Sequence, residues 1–166
     1  IKEMQGKLTF QTTLIGDHNI LNATAAITVS LIAKVPIKKI KDSLKNFQGV
    51  KRRFSFLGKI NKASIYDDYA HHPSEIKASY EIAKQVAEKK IIVIFQPHRY
   101  SRTYILLNDF INVLKKIEVL YILDIYAAGE KPIKNISSPN LVIKLNKKNK
   151  NVFYVNKKEN IKLMLQ

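Results

Sequence analysis

Leu8, Phe10, Thr12 and Leu14 alternate with more polar neighbours, and this two-residue period predicts a strand over residues 7–14. Gly16 and Asp17 break the alternation. An apolar stretch from His18 to Ala33, stopped by Pro36, then predicts a helix. A second helix follows, amphipathic, with Ile37, Ile40, Leu44 and Phe47 on one face. Gln48-Gly49-Val50 reads as a linker, so a domain boundary is expected near residue 50. Beyond it, residues 54–60 and 63–67 predict two strands joined by Asn61-Lys62. His72-Pro73-Ser74 opens a helix running to about Lys89, with proline at its first position. Ile91 to Phe95 is a short apolar run of the kind found in strands buried on both faces. Ser101 to Ile117 predicts a helix with Tyr104, Leu107, Phe110, Ile111 and Leu114 turned inward. Val119 to Leu123 is a further buried strand, followed by a loop over 124–139, a weak helix over 140–148, a strand over 152–155 and a terminal helix over 158–165.

Strands alternating with helices imply an α/β fold with a mostly parallel sheet and right-handed crossovers. In such sheets ligands lie beyond the carboxyl ends of the strands. That rule selects Asp67, Asp68 and His71 after one strand, Gln96 to Arg102 after the next, and Asp124 to Glu130 after a third. Three clusters are therefore expected to meet on one rim.

Composition narrows the function. The 166 residues are 46% hydrophobic, enough for a real core, and contain no cysteine, which excludes thiolate catalysis and a disulfide framework. No long apolar run or signal peptide stands out, so the chain is expected to be soluble and cytoplasmic, without a membrane partner. A formal net charge of +16 invites a nucleic-acid reading. The lysines are diffuse, however, and no helix-turn-helix, aromatic stripe or zinc finger accompanies them. They read as a solvated surface compatible with a small polyanionic substrate, and no nucleic-acid partner is expected.

Arginine and histidine behave differently from lysine. Of 29 Lys and Arg residues only Arg52, Arg53, Arg99 and Arg102 are arginines, and they fall with the four histidines into four short clusters between residues 18 and 102. These are the side chains suited to bidentate anion recognition and proton exchange. His18, Asn19 and Asn22 lie in the first turns of a helix, where amides and free N–H groups suit a purine edge or a phosphate, or where Asp17 merely caps the helix. Arg52 and Arg53 suit a phosphate clamp at the linker or an ordinary salt bridge. Asp67, Asp68, His71 and His72 are suited to relaying protons, holding ribose hydroxyls or ligating a metal. No H-x-H or H-x-x-x-H spacing supports the metal, and His72 before Pro73 suits a helix cap. His98, Arg99 and Arg102 crowd positive charge at a predicted helix start, which is costly unless a carboxylate or phosphate arrives. No P-loop, Gly-x-Gly-x-x-Gly or Gly-x-Ser-x-Gly motif is present. The residues alone describe an anion- or nucleotide-binding α/β domain; a metal-dependent phosphohydrolase built on Asp67, Asp68, His71, His72 and His98 is the alternative.

Five strings at compatible spacing carry a resemblance: Gly-Asp-His-Asn-Ile-Leu-Asn-Ala (16–23), Gly-Val-Lys-Arg-Arg-Phe (49–54), Asp-Asp-Tyr-Ala-His-His-Pro-Ser-Glu-Ile (67–76), Phe-Gln-Pro-His-Arg-Tyr-Ser-Arg-Thr (95–103) and Asp-Ile-Tyr-Ala-Ala-Gly-Glu (124–130). In this order they resemble the Mur ligase family, and within it the UDP-N-acetylmuramate–L-alanine ligases, over about residues 6 to 155. The resemblance implies that residues 1–48 are the tail of a central ATPase domain and 50–166 a Rossmann-like C-terminal domain lacking its last strand. The N-terminal domain and most of the central one would lie outside this chain. It also implies ATP and Mg²⁺ as cofactors, the metal ligands mainly elsewhere, and UDP-N-acetylmuramate and L-alanine as substrates in peptidoglycan synthesis. His18, Asn19, Asn22, Arg53 and Asp68 would bind ATP; Tyr69, His71, His98, Arg99 and Arg102 would bind the amino acid and the muramoyl end. None of these residues is expected to be catalytic in the strict sense, none to ligate metal, and the chain by itself is expected to be inactive.

Overall fold

The computed structural model describes residues 7–156, in two compact units that divide between Asp68 and Tyr69. The terminal helix expected over 158–165 lies outside the described residues.

The first unit holds α1 (Asp17–Ile32), α2 (Ile37–Asn46) and a hairpin of β1 (Ser55–Ile60) with β2 (Ala63–Asp67). Residues 7–14 form no strand, a correction to the two-residue reading: no neighbouring strand pairs with them among the described residues. The alternation still reports burial, since Phe10, Thr12 and Leu14 are half-buried while their neighbours are exposed. Thr13 donates its hydroxyl to the Phe47 carbonyl at 3.0 Å. Gly49 passes close by with φ +86°, and a side chain there would come within 3.1 Å of Leu14. The apolar α1 buries no residue, and Leu21, Val29 and Ile32 are more than half exposed.

The hairpin corrects the expected rim. Asn61 and Lys62 both adopt left-handed φ values, 46° and 71°, the geometry of a tight two-residue turn. Such a turn forces antiparallel pairing, observed from Ser55↔Asp67 to Ile60↔Ala63 with a register shift between Phe56 and Gly58. Residues 63–67 therefore belong to a separate two-stranded sheet rather than to the parallel one.

The second unit is α/β as expected: α3 (Pro73–Val86), β3 (Ile92–Phe95), α4 (Tyr100–Ile105), α5 (Leu107–Leu114), β4 (Val119–Leu123), α6 (Ser138–Asn146) and β5 (Val152–Val155). The three strands are parallel in the order β3-β4-β5. Ile76 and Tyr80 of α3, Phe110 and Leu114 of α5, and Leu141, Val142 and Leu145 of α6 pack with Phe95, Leu120, Ile122 and Val152 into one core. At about 25 cal/mol per Å² of apolar surface, each such large side chain contributes roughly 1.5–3 kcal/mol. The strand at 92–95 is buried on one face only, contrary to expectation. Val93 and Phe95 face the helices, whereas Ile92 and Ile94 on the other face are 46% and 40% exposed. Tyr121 and Phe153 continue the row of Ile94 across that face and stack at 5.3 Å.

The helix expected from 101 to 117 is broken at Leu106, whose φ of −100° and ψ of 19° interrupt it. Tyr104 consequently points outward, 60% exposed, and the buried residue of α4 is Thr103. Thr103 satisfies its buried hydroxyl by donating to the Arg99 carbonyl at 2.8 Å. Ser137 caps α6 by accepting from the Asn140 N–H, and Ser138 donates to the Leu123 carbonyl at 2.6 Å, tying the helix start to the end of β4. No helix among the described residues is long and apolar enough to cross a membrane. Leu120→Ala should lower stability by about 2–5 kcal/mol, since Leu120 has no exposed surface on the central strand. Tyr104→Ala should stay within about 0.5 kcal/mol. Urea denaturation of both variants checks the broken-helix arrangement, and equal losses would contradict it.

Candidate functional site

In the first unit the chain turns sharply before β1. Arg52 and Phe54 adopt left-handed φ values of 60° and 48°, uncommon for residues with a side chain. The Asp68 carboxylate braces this turn by accepting the Phe54 N–H at 2.9 Å, and Arg52 pairs with Asp67 at 3.4 Å. Arg53, between the two strained residues, is exposed, and its N–H bonds to the Val50 carbonyl. Phe54 stacks on Tyr66 at 4.5 Å. At the start of α1, Gly16 is the N-cap with φ 103° and no side chain caps the helix, so Asp17 is not the cap that its sequence position suggested. His18 and Asn22 are exposed, while Asn19 turns its amide back to the Ile15 carbonyl at 2.8 Å.

In the second unit the carboxyl ends of β3 and β4 are stitched together. The Arg99 N–H donates to the Tyr126 carbonyl and the Tyr126 N–H to the Pro97 carbonyl, both at 2.8 Å, forming a parallel bridge at His98↔Tyr126. Gln96 donates to the Asp124 carbonyl, and the Tyr154 hydroxyl from the end of β5 donates to the Asp124 carboxylate at 2.7 Å. That bond holds the Tyr154 hydroxyl proton more tightly than usual, with its partial burial adding to the effect.

On this rim the rings gather in sequence. Tyr69 meets His71 edge-on at 5.1 Å, His71 lies 5.7 Å from His98, and His98 lies 5.3 Å from Tyr126. His71 arrives through the turn before α3, where Glu75 accepts both the His71 and His72 N–H groups. Its Nδ1 lies 2.9 Å from the Tyr69 carbonyl, so a proton on Nδ1 leaves Nε2 as acceptor. His72 is the helix cap expected of it: its ring accepts from the Ser74 N–H in a capping box with Glu75.

The cations divide. Arg99, held at φ 72°, pairs with Glu130 at 3.4 Å. Glu130 also accepts the Ser101 N–H at 3.0 Å and the Ser101 hydroxyl at 2.7 Å. The Ser101 bonds, helped by Arg99, hold the Glu130 carboxyl below the usual glutamate range. The anion that the positive cluster called for is thus partly supplied by the chain itself. Arg102 reaches the His98 Nδ1 and carbonyl oxygen, each at 3.3 Å, and pairs with no carboxylate among the described residues. Burial first, then the charges of Arg102, His71 and Arg99, push His98 below the ordinary histidine value, with Glu130 opposing. Tyr126, Ser101 and Glu130 fall within the clusters expected at the strand ends, but nothing in the sequence assigns them an individual role. The signal was an acid among few, 13 against 29 bases, in the loop after a strand that faces two arginines.

Tyr69, His71, His98, Arg99 and Arg102 therefore belong to one rim, whereas Arg53 and Asp68 lie in the first unit. Among the described residues no three of His, Asp and Glu lie together as a metal site needs, so the phosphohydrolase alternative finds no ligand set there. His98 should titrate below 6.5 in ring-edited NMR, and Arg102→Gln should raise its midpoint. Its folded-state value is the depressed one, so the stability it contributes is present above the ordinary histidine range and lost as pH falls through the lower, folded value. A midpoint indifferent to Arg102 would contradict this geometry.

A family model described as Mur ligase, glutamate ligase domain, matches residues 52–166. UDP-N-acetylmuramate–L-alanine ligase from Rickettsia felis is 52% identical over 144 residues, covering 85% of this chain and 30% of that protein. The enzyme of the same name from Rickettsia massiliae is 53% identical over 144 residues, covering 85% and 29%. The chain thus spans about a third or less of the length of the curated relatives it matches. Among solved structures, UDP-N-acetylmuramate-alanine ligase MurC from Thermotoga maritima superposes with a TM-score of 0.76 at 28% identity, covering 96% of this chain and 34% of that one. MurF from Acinetobacter baumannii, at 16% identity and a TM-score of 0.71, shares the fold over 98% of this chain and 33% of its own. With its matched domain carrying the parallel sheet and the rim just described, the chain belongs to the Mur ligase family.

Proposed function

We propose that this chain is part of an ATP-dependent ligase that joins L-alanine to UDP-N-acetylmuramate in the cytoplasm, a step of peptidoglycan synthesis and so of cell-wall growth, shape and division. The observation that carries the reading is the 52–53% identity over 144 residues to ligases bearing that name. In the proposed reaction, ATP transfers its γ-phosphoryl group to the muramoyl carboxylate. The free amine of L-alanine attacks the resulting acyl phosphate carbonyl, phosphate departs with the C–O bond electrons, and the nitrogen loses a proton. ADP, phosphate and an amide result.

The exposed His18 and Asn22, the uncapped start of α1, and the braced turn holding Arg53 and Asp68 support a nucleotide role for the first unit. His18, Asn19 and Asn22 suit adenine, and Arg53 and Asp68 together suit ribose and phosphates. In the second unit Tyr69, His71, His98, Arg99 and Arg102 suit the amino acid and the muramoyl end, a positioning task. Mg²⁺ would offset phosphate charge when bound; no ligand to it is assigned to this chain. The exposed apolar surface of α1 supports a larger assembly, because an apolar helix is ordinarily buried. We place the central-domain tail at 1–48 and the C-terminal domain at 50–166.

A chimaera tests this. The 144 matched residues replace their counterparts in the Rickettsia felis enzyme, and ADP release is followed with ATP and UDP-N-acetylmuramate. Release should depend on L-alanine, and Arg102→Ala should lower kcat/KM about 10- to 150-fold, the worth of a charge-assisted hydrogen bond. ADP release indifferent to L-alanine would refute the assignment.

A further inference from the structure

The two arginines of the rim are chemically unequal. Both oxygens of the Glu130 carboxylate are engaged by the chain itself, Oε2 by the Ser101 N–H and Oε1 by the Ser101 hydroxyl and the Arg99 guanidinium. The backbone of Arg99 is pinned as well. Its N–H goes to the Tyr126 carbonyl, and its own carbonyl receives the hydroxyl of the buried Thr103. These bonds hold a residue at φ 72°, a conformation costing on the order of 1–3 kcal/mol that persists only where the surroundings enforce it. Glu130 reaches this position because its loop turns through left-handed Ala128 and Gly129, closed by the Glu130 N–H on the Ala127 carbonyl. Among the described residues Arg102 has no such partner: its hydrogen bonds go to an imidazole nitrogen and a carbonyl oxygen.

We propose that Glu130 is a positioning residue that occupies Arg99 and fixes the turn into α4, leaving Arg102, backed by His98, as the guanidinium that receives the carboxylate of an incoming amino acid. The second half rests on the amino-acid reading of this rim; the first half does not. Arg99 then serves the site by holding the loop after β3 against the loop after β4, and ligand charge is met by one arginine rather than two. The charged groups facing Glu130 are Arg99 and, more distantly, His98, and the Ser101 N–H and hydroxyl complete its surroundings.

NMR of the 166-residue chain and its Glu130→Gln variant tests both halves. With the methyl signals of Leu120 and Ile122 reporting an intact core, the wild-type Ser101 amide should follow a titration whose midpoint lies below the ordinary glutamate value. In the variant, its carboxylate-bonded shift should be lost already at neutral pH, and the His98 midpoint should fall because an opposing negative charge is gone. A Ser101 amide that titrates at or above 4.5, or that ignores the substitution, overturns the role of Glu130. L-alanine is then titrated against L-alaninamide, which lacks the carboxylate. Shifts specific to the carboxylate should centre on the Arg102 side chain and His98 in the wild type, with Arg99 joining only in the variant. Wild-type shifts led by Arg99 overturn the division between the arginines. Silence toward L-alanine in both proteins counts against the amino-acid reading itself, while the Ser101 and His98 results still decide what Glu130 does.

Discussion

The rim of the second unit depends on a pair of backbone hydrogen bonds between two loops. A parallel sheet ends at Phe95 and Leu123, and beyond those residues β3 and β4 would be free to splay apart. The Arg99 N–H on Tyr126 and the Tyr126 N–H on Pro97 extend the pairing past the sheet. Everything chemically distinctive hangs on that extension: His98 beside His71 and Tyr126, Arg102 against His98, and Glu130 across from Arg99. Strand ends are where a parallel sheet leaves its polar backbone unpartnered, so this is where polar side chains are held in place at least cost in core packing.

Much of this was legible in the sequence, for identifiable reasons. The strand at 119–123 stands out as a five-residue apolar run, and its Leu120 and Ile122 have no exposed surface. His72 reads as a cap because proline follows it and glutamate sits three residues on, and the structure builds that capping box. Of the four arginine and histidine clusters, those at 71–72 and 98–102 fall in the second unit and mark its rim, whereas His18 and Arg52-Arg53 fall in the first. What escaped had a physical cause in each instance. Residues 7–14 carry strand periodicity without a pairing partner among the described residues, and periodicity reports burial rather than hydrogen bonding. Tyr104 looked inward only on the assumption of one unbroken helix through Leu106. Glu130 lies in a cluster expected at the rim, but its partner is tertiary: no local pattern announces that a glutamate will meet a serine 29 residues earlier in the chain.

The two units divide the chemistry in different ways. The second carries a compact core and a rim with most of its polar groups satisfied. The first carries a strained turn braced by Asp68 and an apolar helix left largely exposed. In the proposed reading the first would serve the nucleotide and the second the amino acid.

The most direct measurement of the central claim follows oxygen rather than protein. UDP-N-acetylmuramate labelled with ¹⁸O in its muramoyl carboxylate is supplied with ATP and L-alanine to the ligase that carries this chain, and phosphate and product are weighed by mass spectrometry. The account predicts one ¹⁸O atom in the released phosphate and the other retained in a new alanyl amide. Phosphate free of label, or amide formed without L-alanine, would contradict it.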